Sequence, residues 1–234
     1  MRTLLAALFL MAASAFAQNP LRDAVAEGAG RIAWKVKTDG VSICCCNDRG
    51  NLTIDRENRV QYENIVLVAA LRDRQIVKLR MVEPTCPVTD ARFVENVSAD
   101  ASLDFLLPHV SGTDHVIAAI AMHDHPRTVT ELIALARRHA STEVRRDAIF
   151  WLGQRAGEKV AGELRRAVDE DPEDEVRERA VFAISQLPAE RAVPMLVDLV
   201  KNHKRAAVRK RAMFWLTQTG DPRALQLIEE ILAK

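Results

Sequence analysis

The sequence predicts a mostly α-helical protein, α+β overall, in which a right-handed α-solenoid of short helical hairpins follows a small N-terminal antiparallel β subdomain. Two observations predict it. The C-terminal half matches itself at a fixed shift of 32 residues, and before about residue 95 the helical period gives way to alternation and β-branched runs. The implied division is a leader at 1–17, a β-rich, cysteine-containing part at 18–95, and helical repeats at 96–234.

Arg2, an apolar run from Leu4 to Ala13, and the small-residue stretch Ala15-Phe16-Ala17 before Gln18 follow the pattern of a secretory signal peptide. The run is short for a bilayer span, and no later stretch is long and uncharged enough to make one. The mature chain is therefore expected to be exported, periplasmic or extracellular, with no stable membrane insertion after signal cleavage. Its formal net charge of +1 gives no sign of an electrostatic nucleic-acid binder. A basic run through Lys201, His203, Lys204, Arg205, Arg209, Lys210 and Arg211 lacks interleaved aromatics and reads as a solvated rim or a contact for an acidic protein patch.

Within 18–95, Ile32, Trp34 and Val36 alternate along Arg31–Lys37 as on a half-buried strand. Ile65–Leu71 and Ile76–Val82 are two more strands around the polar Arg72–Gln75, an expected antiparallel hairpin. Polar, turn-rich segments flank a short strand expected at Leu52–Ile54. Such a sheet buries little alone and is expected to pack on the first helical unit, capping the open end of the stack.

All four cysteines fall in this part: Cys44, Cys45, Cys46 and Cys86. In an exported chain the default use is a disulfide. Adjacent cysteines are badly placed to pair with each other, so Cys86 is expected to bond Cys44 or Cys45, closing a loop worth roughly 3 to 4 kcal/mol by chain entropy. Two thiols are left over. Pairing outside the chain, or a soft-metal site for Cu(I) or Zn(II), stays open for them.

The repeats are the strongest signal. In register stand Val144, Val176 and Val208; Arg145, Arg177 and Arg209; Ala148, Ala180 and Ala212; Phe150, Phe182 and Phe214; and Gln154, Gln186 and Gln218. A second helix recurs through Leu132, Leu164, Leu196 and Ile228. The first kind is nearly apolar all round, as in Ala148–Leu152, and should be sandwiched between neighbours; the second keeps a charged face and should meet water. Gly153, Gly157, Pro172, Pro188 and Gly220 fall where hairpins need breakers.

The Val-Arg-x-x-Ala pattern starting at Val144, Val176 and Val208 resembles HEAT-type repeats, closest to the short subclass named after phycobilisome lyases. The resemblance covers roughly residues 100–234: about three full repeats, plus a degenerate first unit at Thr113–Ala121. It implies a binding surface and leaves the ligand open. It also implies that Arg145, Arg177 and Arg209 tie one unit to the next. The variable neighbours Arg146, Arg179, Lys210 and Arg211 are then the candidate contacts for a protein partner.

An enzyme would have to be built on His109, His115, His123 and His125 with Asp114 and Asp124. No metalloprotease helix motif, nucleophile elbow or phosphate-binding glycine loop accompanies them, so they read as a surface turn. A metal site drawing on Cys44, Cys45, Cys46, His123 and His125 is the weaker alternative. The reading is a non-catalytic, exported scaffold that holds another protein and needs no cofactor. A thiol- or metal-dependent regulator is its first rival, and a lyase-like or metal-dependent enzyme its second.

Overall fold

The computed structural model describes residues 19–41, 62–111, 115–155, 158–225 and 229. The leader, the strand expected at Leu52–Ile54 and the triplet Cys44, Cys45 and Cys46 lie outside them.

The chain enters through α1 (Pro20–Ala26), a helix in a part expected to hold only strands and loops. Its cause is local. The Asn19 side chain accepts from the backbone N–H groups of Leu21 and Arg22, and Pro20 fits the first turn, where no N–H partner is needed.

The sheet contains β1 (Arg31–Val41), β2 (Tyr62–Arg72), β3 (Gln75–Val82) and β4 (Arg92–Phe93), in the order β3-β2-β1-β4. β2 is antiparallel to both neighbours, and the short β4 adds in parallel to β1. The three expected strands lie within β1, β2 and β3. The β2–β3 turn passes through Asp73 and Arg74 at φ 51° and 63°, the left-handed pair that matches the twist of a two-residue hairpin. Ile65 to Ala69 are buried without a break, because both faces of β2 are covered. Ile65, Leu67 and Ala69 join Ile32, Trp34, Val36, Leu79 and Met81 in the main core. Val66 and Val68 face a smaller cluster with Ala33, Val82 and Cys86.

Helices follow: α2 (Ala99–Leu106), a 3-10 turn at Leu107–His109, α3 (Val116–Met122), α4 (Pro126–Arg138), α5 (Thr142–Gly153), α6 (Glu158–Glu170), α7 (Asp174–Ser185), α8 (Ala189–Asn202) and α9 (Ala206–Gln218). α4, α6 and α8 each pack on the helix that follows, and α3, α5, α7 and α9 stack on one another as an inner row. Leu132, Leu164 and Leu196 on the outer helices are fully buried, as are Ala148, Ala180 and Ala212 on the inner ones. The sheet packs through β1 on α2 and α3, and one core runs from Leu21 to Ala224.

Gly153, expected as a hairpin breaker, has a second task. It ends α5 at a close crossing, where an added Cβ would come 2.7 Å from the Cβ of Ala183 in α7.

Candidate protein-binding groove on the inner helices

The recurring arginines staple each loop to the helix it feeds. Arg145 donates to both carboxylate oxygens of Asp171, at 3.0 and 3.3 Å, and to the carbonyls of His139 and Ala140. Arg177 donates to the Asp171 carbonyl and the Asp174 carboxylate. Arg209 donates to the carbonyls of His203 and Lys204 at 2.8 and 3.1 Å. Each guanidinium thus satisfies carbonyls left free where an outer helix ends.

A second register, unread in the sequence, completes the staple. His139, Asp171 and His203 stand 32 residues apart. Each side chain accepts the backbone N–H two residues on, from Ser141, Glu173 and Arg205 respectively. Histidine and aspartate look unrelated in a sequence, but both supply an acceptor at that position. Gln154 and Gln186 occupy the C-cap positions of α5 and α7, where backbone N–H groups meet the last carbonyls; the Gln186 side chain donates instead to the Ser185 hydroxyl.

The inner helices are sandwiched as expected, but α5, α7 and α9 keep one face part-open. Ala148, Ile149 and Leu152 are buried, whereas Phe150 and Phe182 are half-buried and Phe214 is 49% exposed. Phe150 follows Ala148 by two positions, about 200° round a helix, so its ring lies at the edge of the core, half-buried against it. The Phe150 and Phe182 rings lie parallel with centroids 6.3 Å apart, and Trp215 meets Phe182 at 4.8 Å and Phe214 at 5.0 Å. An aromatic stripe therefore crosses α5, α7 and α9.

Charged side chains line the same groove: Arg146, Glu175, Glu178, Arg179 and Arg211, beside Phe182 and Trp215. Arg146 pairs with Glu175 at 3.5 Å, and Arg211 with Glu178. The Arg179 guanidinium lies against both phenyl rings, 5.5 Å from the Phe150 centroid and 5.8 Å from that of Phe182, within cation–π range. Three of the four expected contact residues thus come together. Lys210 is exposed on α9 and is not part of the groove lining. The sequence reading missed Glu178 and Trp215, and took the phenylalanines for packing residues. Helical phase was the signal that separates them.

Asp124 and His125 lie in the turn between α3 and α4 as expected, but His123 does not belong to its surface. His123 is fully buried. Its Nδ1 donates to the carbonyls of Ala119 and Ile120, while its Nε2 accepts from the Ser102 hydroxyl at 2.8 Å. Ser102 in turn accepts from the Trp34 indole N–H at 2.8 Å. Burial pushes the His123 pKa down to about 4. With both ring nitrogens engaged, this residue has no free lone pair for a metal site with Cys44, Cys45, Cys46 and His125. The others have separate tasks. His109 bonds the carbonyls of Phe105 and Arg74, His125 caps α4, and Asp124 pairs with Lys37 at 2.8 Å. His115 is exposed just before α3, and Asp114 lies outside the described residues.

Stacked helical pairs with an inner-face groove define a helical-repeat protein. A family model for HEAT repeats matches residues 108–185 and again 163–234, more than half of the chain. The protein belongs to the HEAT-repeat family. No curated protein matches the chain. HEAT repeats are commonly protein-interaction scaffolds and generally non-catalytic. Among the described residues, no helix is long and apolar enough to cross a membrane.

Proposed function

We propose that this chain is an exported, non-catalytic scaffold that seats a protein partner on the inner helix row. One observation carries the reading: the part-exposed aromatic stripe of Phe150, Phe182, Phe214 and Trp215, flanked by Arg146, Arg179 and Arg211. A core-facing helix has no use for aromatics on its outward face, and aromatic and arginine side chains are the residues that dominate binding energy where proteins meet. The helical pairs form a right-handed α-solenoid of the short, phycobilisome-lyase type of unit, a reading supported by the 32-residue period. Leu4–Ala13 and Ala15–Ala17 support export. They also support a disulfide from Cys86 to Cys44 or Cys45. In favour of that pairing, Cys86 is buried against the sheet, and no cysteine among the described residues is free.

The experiment is proximity crosslinking of the mature protein in its native extract, against a variant with Arg146, Arg179 and Arg211 changed to Glu. The wild type is expected to capture a specific protein that the variant loses while its helical circular dichroism stays intact. Equal capture by both proteins would remove the groove from the reading. Intact mass of the mature protein tests export, through a chain beginning at Gln18, and tests the disulfide, through the thiol count before and after reduction.

A further inference from the structure

The ion pairs of the groove leave one of its three arginines out. Arg146 is matched by Glu143, Asp147 and Glu175, and Arg211 by Glu178. Arg179, between them, has neither an ion pair nor a hydrogen bond among the described residues. Two phenyl faces hold it. That contact fixes the guanidinium plane and leaves its N–H donors unused, which is the pre-organised state for gripping a carboxylate in a bidentate pair.

We propose that the groove binds an internal, extended segment of a partner chain in which a single aspartate or glutamate sits between apolar side chains, its carboxylate seated on Arg179. The inference rests on the docking reading above. The flanking apolar side chains lie on the aromatic stripe, against Phe150 on one side and Phe214 and Trp215 on the other. Glu175 and Glu178, on the same helix as Arg179, set the limit of one acid: a run of carboxylates, or a phosphate backbone, brings further negative charge against them. The groove continues past Arg179 towards Arg146 and towards Arg211. A chain can therefore pass through, and the carboxylate is that of a side chain, not of a C-terminus.

The test uses the mature full-length protein and fluorescence anisotropy. The probe is a labelled synthetic peptide carrying a leucine, glutamate, leucine triplet in a glycine–serine frame. Four relatives are compared: glutamine for glutamate, lysine for glutamate, four consecutive glutamates, and the triplet placed so that the only carboxylate is the C-terminus. The glutamate peptide should bind at least about tenfold more tightly than the glutamine peptide, the size of one charge-assisted hydrogen-bonded contact. Arg179→Gln should remove that difference without weakening the glutamine peptide, and Arg179→Lys should restore part of it.

Equal affinity for the glutamate and glutamine peptides overturns the proposal, as does no measurable binding of any peptide. Preference for the lysine peptide moves the seat to Glu175 and Glu178, and preference for four glutamates or for the C-terminal carboxylate gives the groove a different occupant. Self-association in sedimentation that Phe214→Ser abolishes makes a second copy of this chain the occupant. If the peptides fail while the Arg-to-Glu variant still loses a captured protein, this inference fails alone; if the capture is also unaffected, the docking reading falls with it.

Discussion

Two kinds of junction hold the molecule together. Between repeats, α5 meets α7 and α7 meets α9 through apolar seams; of the three stapling arginines expected to tie one unit to the next, Arg145 does so, through Asp171, whereas Arg177 and Arg209 bond the loops of their own units. Between the sheet and the first helices, a single buried polar chain runs from Trp34 through Ser102 and His123 to the carbonyls of α3. The repeated junction spreads its polar contacts over several units. The unique one adds to surface contacts such as Lys37–Asp124 a chain of three side chains that water does not reach. A fault should therefore be local in the repeats and decisive at the sheet, except where a repeat also buries a charge.

That exception gives the largest expected effect. The side chains of Arg145 and Asp171 are 10% and 7% exposed, so Arg145→Ala strands a buried carboxylate and should cost about 4 kcal/mol. The same change at Arg209, which among the described residues bonds the carbonyls of His203 and Lys204 and no carboxylate, should cost about 1 kcal/mol. Urea midpoints for the pair measure the contrast; equal losses would mean that the staple works through packing and not through charge.

Next is acid. The folded protein holds His123 neutral down to a pKa of about 4, below its ordinary 6.5. The unfolded chain therefore binds the proton first as pH falls. Stability is complete above about pH 6.5 and declines towards pH 4, by about 3 kcal/mol in all. His123→Gln removes the titrating group and should flatten the slope of the urea midpoint between those limits. An unchanged slope would place the acid sensitivity elsewhere.

The unequal legibility of these junctions in the sequence has a physical basis. Repetition exposes whatever recurs, so the inner and outer helices, the stapling arginines and the stacked order follow from one shift of register. Alternation places β1, β2 and β3 in the same way. The polar chain Trp34–Ser102–His123 joins residues far apart in sequence and occurs once, so neither period marks it. The groove was hidden for a different reason. A repeat keeps Phe150, Phe182 and Phe214 in register whether they face core or solvent, and only their phase relative to Ala148, Ala180 and Ala212 tells the two apart. α1 was legible and went unread, since Asn19 and Pro20 are an ordinary helix start.

The seam between α5 and α7 gives a smaller effect. Gly153→Ala drives a methyl group against the Cα and Cβ of Ala183, at 3.0 and 2.7 Å, which should cost about 2 kcal/mol by overpacking. Ala183→Gly in the same background should recover part of the loss, since it removes one of the two atoms in conflict. Absence of any recovery would locate the strain in the α5 backbone.

The smallest effects distinguish the repeats from one another at their helix starts. α5 is capped by Ser141, whose hydroxyl accepts from the Val144 N–H, and Glu143 follows in its first turn. α9 begins at Arg205 with no side-chain cap and no acid in the first turn. The positive end of its dipole thus meets a positive side chain. Ser141→Ala should cost about 1 kcal/mol, and Arg205→Asp should gain a similar amount, about 1 kcal/mol, by adding both a cap and a matched charge. Opposite shifts in thermal midpoint are the expected readout. If Arg205→Asp destabilises instead, Arg205 makes a contact that matters more than its position at the helix start, and the basic rim of the last repeat has a structural task of its own.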